Sequence, residues 1–298
     1  MVSAKEIRVR ETAKFGLSLF GRLVESNITL VSAGVAFYAM LAIFPGISAT
    51  IAIWSAFADP AVIHTYLKVA SEFIPPEAYA LINDQIQSWL IGPRPSIGLG
   101  VIISAAVTLF SARAGVAALV LSLNVIHGTK PRATIWSFIM GYLMTVSLVG
   151  VMLAALATVV IVPIVVNFLP FHEVTKILLS GLPWGAMILL MFTALGILYR
   201  YGPNTEGKRD PILTLGAVLA AAVWSLSSLG LTYYLANFGN YNKVYGSIGA
   251  VIALLVWLYL SAFSVLLGAA LNAELSAFRK RQAIAAQEAE KDAQPQTE

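Results

Sequence analysis

The chain gathers its charges into clumps. Between them lie six stretches without a charged side chain, 26–58, 95–112, 133–171, 177–199, 212–242 and 244–273, each between 18 and 39 residues long. A helix needs roughly 20 predominantly apolar residues to cross the ~30 Å hydrocarbon core of a bilayer. Inside that core every backbone N–H and C=O must be bonded within the segment. The stretches therefore predict an all-α, polytopic membrane protein with six transmembrane helices. Composition agrees: 11% of the 298 residues are charged, against about 25% in an ordinary soluble domain. The absence of cysteine excludes a disulfide scaffold, and an outer-membrane barrel would show short alternating strands instead of unbroken runs.

The few charges also orient the chain. The N-terminal segment is charged and has no apolar core before residue 23, which predicts that it is not a cleaved signal peptide. Six spans put both termini on one face. That face, made of the N-terminal segment, the second and fourth loops and the tail, holds 15 of the 19 basic residues. The positive-inside bias makes it cytoplasmic. The net charge of +4 is explained by orientation against anionic lipid, so membrane lipids are the expected partners and a nucleic acid is not needed.

The first span, about 29–57, contains Pro45-Gly46 as a candidate helix break or close helix crossing. The second, about 96–112, continues past Arg113 to His127 as an amphipathic cytoplasmic extension. The third stretch would measure about 58 Å as one helix, so it bends at Pro163 or projects into the periplasm. The remaining spans are about 179–200, 212–238 and 246–273. The loop 58–95 is net acidic and carries two amphipathic patterns, Val62 to Phe73 and Leu81 to Leu90, separated by Pro75-Pro76. These predict periplasmic helices between the first two spans, lying on the interface or docking envelope proteins. Residues 1–281 then form one six-helix transmembrane domain. The Ala-, Gln- and Glu-rich tail 282–298 is expected to be disordered.

Catalysis needs a nucleophile with a base, a carboxylate pair or a metal cluster, and none is visible. His64, His127 and His172 fall in three different loops, and almost all of the 15 acidic residues lie outside the spans. The sequence predicts no enzyme, no cofactor and no metal. Polar residues near the cytoplasmic span ends are more informative: Arg113, Asn124, Arg200, Asn204, Asn272 and Glu274. They are snorkelling side chains and helix caps, a reading that suits Arg200 best. Otherwise they line a polar vestibule that binds an anionic head group or holds a gate through an Arg113–Glu274 pair. Tyr233, Tyr234, Tyr241 and Tyr245 fit an aromatic belt at the opposite end.

Several segments together resemble the YihY/BrkB family of bacterial inner-membrane proteins. They are Ser32-Ala-Gly-Val-Ala-Phe-Tyr-Ala-Met-Leu-Ala-Ile-Phe-Pro45, Ala117-Ala-Leu-Val-Leu-Ser-Leu-Asn124, Tyr199-Arg-Tyr-Gly-Pro-Asn204, Tyr245-Gly-Ser-Ile-Gly-Ala-Val-Ile252, Trp257-Leu-Tyr-Leu260 and Leu271-Asn-Ala-Glu-Leu275. Two positions depart from the family pattern: Ala270 stands where relatives often have a glutamate, and His127 where many have tyrosine. The resemblance implies a multi-pass inner-membrane protein linked to envelope integrity and lipid traffic, in a family once labelled ribonuclease BN. The leading expectation is transport or handling of a lipid or other amphipathic envelope molecule. The alternatives are a non-transporting scaffold docking periplasmic partners through 58–95 and, remotely, a ribonuclease.

Overall fold

The computed structural model describes residues 4–54, 99–168, 182–205, 211–237 and 247–293, with isolated positions between 76 and 87. Seven helices make up these residues: α1 (Ala4–Glu25), α2 (Ile28–Trp54), α3 (Leu99–Ile126), α4 (Thr134–Phe168), α5 (Leu182–Tyr201), α6 (Leu215–Asn237) and α7 (Ser247–Ala293). No strand occurs among them. The expected helices of 58–95 lie outside the described residues except at those isolated positions, as do His64, His172, Tyr241 and Tyr245.

Five helices contain a segment long and apolar enough to cross a membrane: Ile28–Ile47, Leu99–Ile126, Ile135–Ala155, Leu215–Asn237 and Ile248–Ile284. The sequence predicts six. In α5 the described apolar stretch, Gly185–Tyr201, is shorter than a crossing, because the uncharged stretch behind it begins at residues outside those described.

The helices pack through small side chains. α2 and α3 run antiparallel, with a Cβ built at Gly46 falling 3.2 Å from Thr108 Cγ2 and one at Gly115 falling 3.6 Å from Tyr38 Cβ. The close crossing expected at Pro45-Gly46 is therefore present, but the helix break is not. α2 runs through Pro45 without interruption, since a proline removes one backbone donor and its neighbours on the helix still bond. α6 and α7 are also antiparallel and are stapled twice. Trp224 Nε1 donates to Ser261 Oγ (2.9 Å), and Trp257 Nε1 donates to Ser228 Oγ (3.1 Å). Nearer the charged end their backbones touch, so that a Cβ at Gly216 would overlap the Gly268 carbonyl and sit 2.5 Å from Asn272 Oδ1.

The interior combines many small residues, among them Ala36, Ala217, Ala220, Ala253, Ala269 and Ala270, with larger ones such as Leu123, Ile126, Leu254 and Leu266, while Leu30, Phe37, Phe110, Trp136, Leu143, Leu189, Leu226 and Leu229 are exposed. So many exposed large apolar side chains suit hydrocarbon and not water. In hydrocarbon an apolar side chain gains nothing by burial, so close backbone approach over small residues holds the helices together.

The long helices bear on further expectations. α3 continues past Arg113 to Ile126 as expected, and this part packs into the bundle, with Gly115, Ser122, Leu123, Asn124 and Ile126 buried and Leu121 and Val125 exposed. α4 continues through Pro163 to Phe168 as one helix. The tail is not disordered at 282–293, because α7 extends to Ala293 over 47 residues, about 70 Å at 1.5 Å per residue. Its Ala, Gln, Glu and Lys content favours helix.

Replacing Gly268 with leucine should therefore be costly. A side chain there meets the Gly216 carbonyl and Tyr199 Oη. Thermal unfolding of the detergent-purified protein should show a loss above about 1–3 kcal/mol. Gly230→Ala, where a Cβ meets nothing within 4 Å, should be near neutral or slightly stabilising.

Candidate functional site

The polar residues converge where α1, α3, α5 and the inner part of α7 meet. The local sequence explains how each helix ends there. α1 stops at Ser26-Asn27. Asn27 takes φ +48°, a left-handed conformation that asparagine tolerates, and Ser26 Oγ donates to Arg22 O (2.6 Å). α3 ends in a Schellman turn, with Gly128 at φ +65° and the N–H groups of Thr129 and Gly128 bonded to Asn124 O and Val125 O at 2.9 and 3.0 Å.

Helix C-termini leave carbonyls without partners and carry partial negative charge, and two arginines answer them. Arg22 Nη1 donates to Ile126 O at the end of α3. Arg132 donates to Tyr201 O, Gly202 O and Pro203 O at 2.8–2.9 Å, closing the end of α5.

Arg22 has a second role. Its Nε and Nη2 donate to Glu274 Oε2 at 3.2 and 3.0 Å, and Arg281 Nη2 donates to Glu274 Oε1 at 2.8 Å. Ser18 on α1 also hydrogen-bonds this carboxylate. Glu274 is 1% exposed, Arg22 24% and Arg281 62%, so the carboxylate is buried between one half-buried and one open cation. Phe15 meets Phe278 edge-on at 6.1 Å beside this triad, and together these contacts dock α1 on α7.

Asn124 and Asn272 organise the remainder. Asn124 Oδ1 accepts from the Asn204 backbone N–H (2.7 Å) and from Thr129 Oγ1 (3.0 Å), tying α3 to the segment after α5. Asn272 Oδ1 accepts from Gly216 N–H (2.8 Å), and its Nδ2 donates to Thr214 Oγ1 (2.9 Å), satisfying the start of α6.

Two cavities open on either side of α7 at this end. The larger, about 630 Å³, is lined by Arg22, His127, Thr129, Lys130, Tyr199, Asn204, Thr205, Ser276, Ala277 and Lys280 among others. The smaller, about 470 Å³, is lined by Thr214, Asn272, Ser276, Arg279 and Lys280 among others. No carboxylate lines either one. Along the larger cleft α7 presents Ala273, Ser276 and Ala277, side chains too small to fill the gap, with Lys280 at its outer end.

Of the six vestibule residues expected from sequence, Asn204 and Asn272 line the cavities, and Asn124 and Glu274 are buried nearby. Arg113 and Arg200 line neither cavity. The Arg113–Glu274 pair does not form: Glu274 is taken by Arg22 and Arg281, while the Arg113 guanidinium lies over the rings of Phe138 (4.4 Å) and Tyr142 (4.8 Å) on α4. Arg200 sits 5.6 Å from the Tyr201 ring. Sequence reasoning missed Arg22, Lys130, Arg132, Lys280 and Arg281 as site residues, having counted them only for orientation. The signal available was Gly128: a glycine closing a helix beside Lys130 and Arg132 marks a helix end whose carbonyls need cations. Among the described residues no three His, Asp or Glu side chains gather as metal ligands.

Removing the half-buried partner of the buried Glu274 carboxylate leaves that charge undercompensated, so Arg22→Gln should cost about 3–5 kcal/mol. It should also loosen α1 and so speed limited trypsin digestion at Lys14, which is already exposed but held in a helix. Arg281→Gln, at an open cation, should cost less than about 1 kcal/mol. Equal losses in denaturant unfolding would contradict this ordering.

The profile of the virulence factor BrkB family matches residues 19–295. Among curated proteins, the ribonuclease-like protein YfkH of Bacillus subtilis is 28% identical over 270 residues, covering 88% of this chain and 95% of its own length. A UPF0761 membrane protein of Pseudoalteromonas translucida is 27% identical over 279 residues, 90% of this chain and 88% of that protein. Another UPF0761 membrane protein, from Xanthomonas campestris, is 28% identical over 279 residues and is longer, so that only 62% of it is covered. No solved structure matches. The matched residues take in Arg22, Asn124, Asn204, Glu274 and the whole cleft, and the chain belongs to the virulence factor BrkB family of membrane proteins.

Proposed function

We propose that this protein transports or otherwise handles a lipid or another amphipathic molecule of the bacterial envelope. It works in the inner membrane, with its cleft and both termini on the cytoplasmic side. The observation that carries the reading is the adjacency of two surfaces. Arg22 lines the polar cleft, and the same helix exposes Leu17, Phe20 and Val24. An amphipathic molecule needs a polar recess for its head and an apolar, lipid-continuous surface for its chains, and α1 borders both. The exposed apolar faces of α2 and α3, with Leu30, Phe37 and Phe110, continue that surface.

This reading requires no catalytic group. The buried carboxylate at the site is occupied by two arginines, which fits poorly with a general base or metal ligand, so the ribonuclease-like name of the Bacillus relative is not carried over.

The test is movement of a fluorescent phospholipid between leaflets of vesicles reconstituted with the full-length protein. The expected result is a several-fold faster exchange than in empty vesicles. Ser276→Trp, an exposed position that lines both cavities, should remove most of the gain while leaving thermal unfolding unchanged. Exchange equal to that of empty vesicles would reject the reading.

A further inference from the structure

We propose that the larger cleft is a binding site for a phosphate group, held by Lys130 and Lys280 together with Arg22. The site is the cleft of the lipid-handling reading, on which this proposal rests for its location; the ligand chemistry follows from the charges around it. Lys130 and Lys280 line the cleft from the α3–α4 connection and from α7, and among the described residues neither ammonium is ion-paired. Two cations lining one cleft hold an anion more strongly than either alone. Ser276 and Thr205 add hydroxyl groups to the same walls. A phosphate, with up to two charges and several acceptor oxygens, matches two or three cations plus hydroxyl donors better than a single carboxylate does.

Two features oppose an anion here, and both are already answered. The ends of α3 and α5 point their carbonyls toward this region, but Arg22 and Arg132 cover them. Glu274 stands behind the cleft, but its two oxygens are held by Arg22 and Arg281. Arg22 is therefore shared: a phosphate entering the cleft competes with Glu274 for the same guanidinium. A volume of about 630 Å³ lies within the range of ordinary small-molecule sites and exceeds what a bare phosphate fills.

The same chemistry comes from a phospholipid head group or from a free phosphate compound, and the experiment separates them. Delipidated full-length protein in detergent is titrated with inorganic pyrophosphate by calorimetry. Separately, it is mixed with phosphatidylglycerol or phosphatidylcholine and the retained lipid is counted by native mass spectrometry. Wild-type protein should hold phosphatidylglycerol in preference to phosphatidylcholine if the source is a lipid, or bind pyrophosphate without lipid preference if it is a free phosphate. In either case the double variant Lys130→Gln/Lys280→Gln should weaken binding about tenfold or more, while Lys14→Gln, exposed on α1 outside the cleft, should not. Both lysines are exposed, so the double variant should fold; Lys280→Glu provides a second readout and should abolish binding. Absence of binding to every probe, or equal binding by wild type and the double variant, overturns the proposal. Phospholipid exchange in vesicles that survives the double variant would remove this site and leave the transport reading intact; phosphate binding without exchange would do the reverse.

Discussion

A carboxylate with 1% exposure at the end of a transmembrane bundle must be paired, and the way Glu274 is paired determines how this end of the protein is built. Its partners come from both termini: Arg22 from α1 and Arg281 from the outer part of α7. Arg22 lies outside the apolar segments and Arg281 at the charged end of the one in α7, so the triad ties α1 to the end of a long apolar helix. Because Arg22 also holds the Ile126 carbonyl, the same guanidinium connects α1, α3 and α7. Without it, α1 would lose its ion pair with α7, and the end of α3 would lose a donor.

The packing beneath the triad follows from a different force. Hydrocarbon offers no hydrophobic gain for burying leucine, so α6 and α7 meet backbone to backbone at Gly216 and Gly268. The polar contacts at this interface, Asn272 with Gly216 and the reciprocal Trp–Ser pairs, satisfy groups that would otherwise be stranded in lipid. Close approach over small residues holds the helices and buried polar pairs fix their register, which makes the region around Asn272 and Glu274 stiff enough to support a preformed cleft.

Most of the helical architecture is legible in the charge spacing, because a bilayer permits few alternatives: an uncharged stretch of more than 20 residues is helical almost regardless of its detailed sequence. The segments placed together by charge counting, around Arg22, Asn124, Asn204 and Asn272, do meet at one end through hydrogen bonds. The cleft was less legible. Arg113 stands out in the sequence because a charge inside an apolar stretch is expensive, yet its guanidinium lies over aromatic rings on α4 and takes no part in the cleft. Arg22 and Lys280 do not stand out, because a basic residue outside a span is ordinary, and their importance comes only from tertiary proximity. Helix α1 was overlooked for a similar reason: its apolar residues are too few for a span and its charges suggest a tail, although Leu19 and Leu23 pack against the core.

The bias of basic residues toward one face is usually read as an orientation signal, but here it has a structural distribution as well. Arg22 and Arg132 are consumed at helix ends, where carbonyls demand donors. Arg281 completes the neutralisation of Glu274. Lys130 and Lys280 have no such employment, and both line a gap that α7 leaves open by placing Ala273, Ser276 and Ala277 where larger side chains would close it. Among the described residues, two basic side chains that neither a carbonyl nor a carboxylate engages therefore stand at the cleft, where the proposed phosphate would find them.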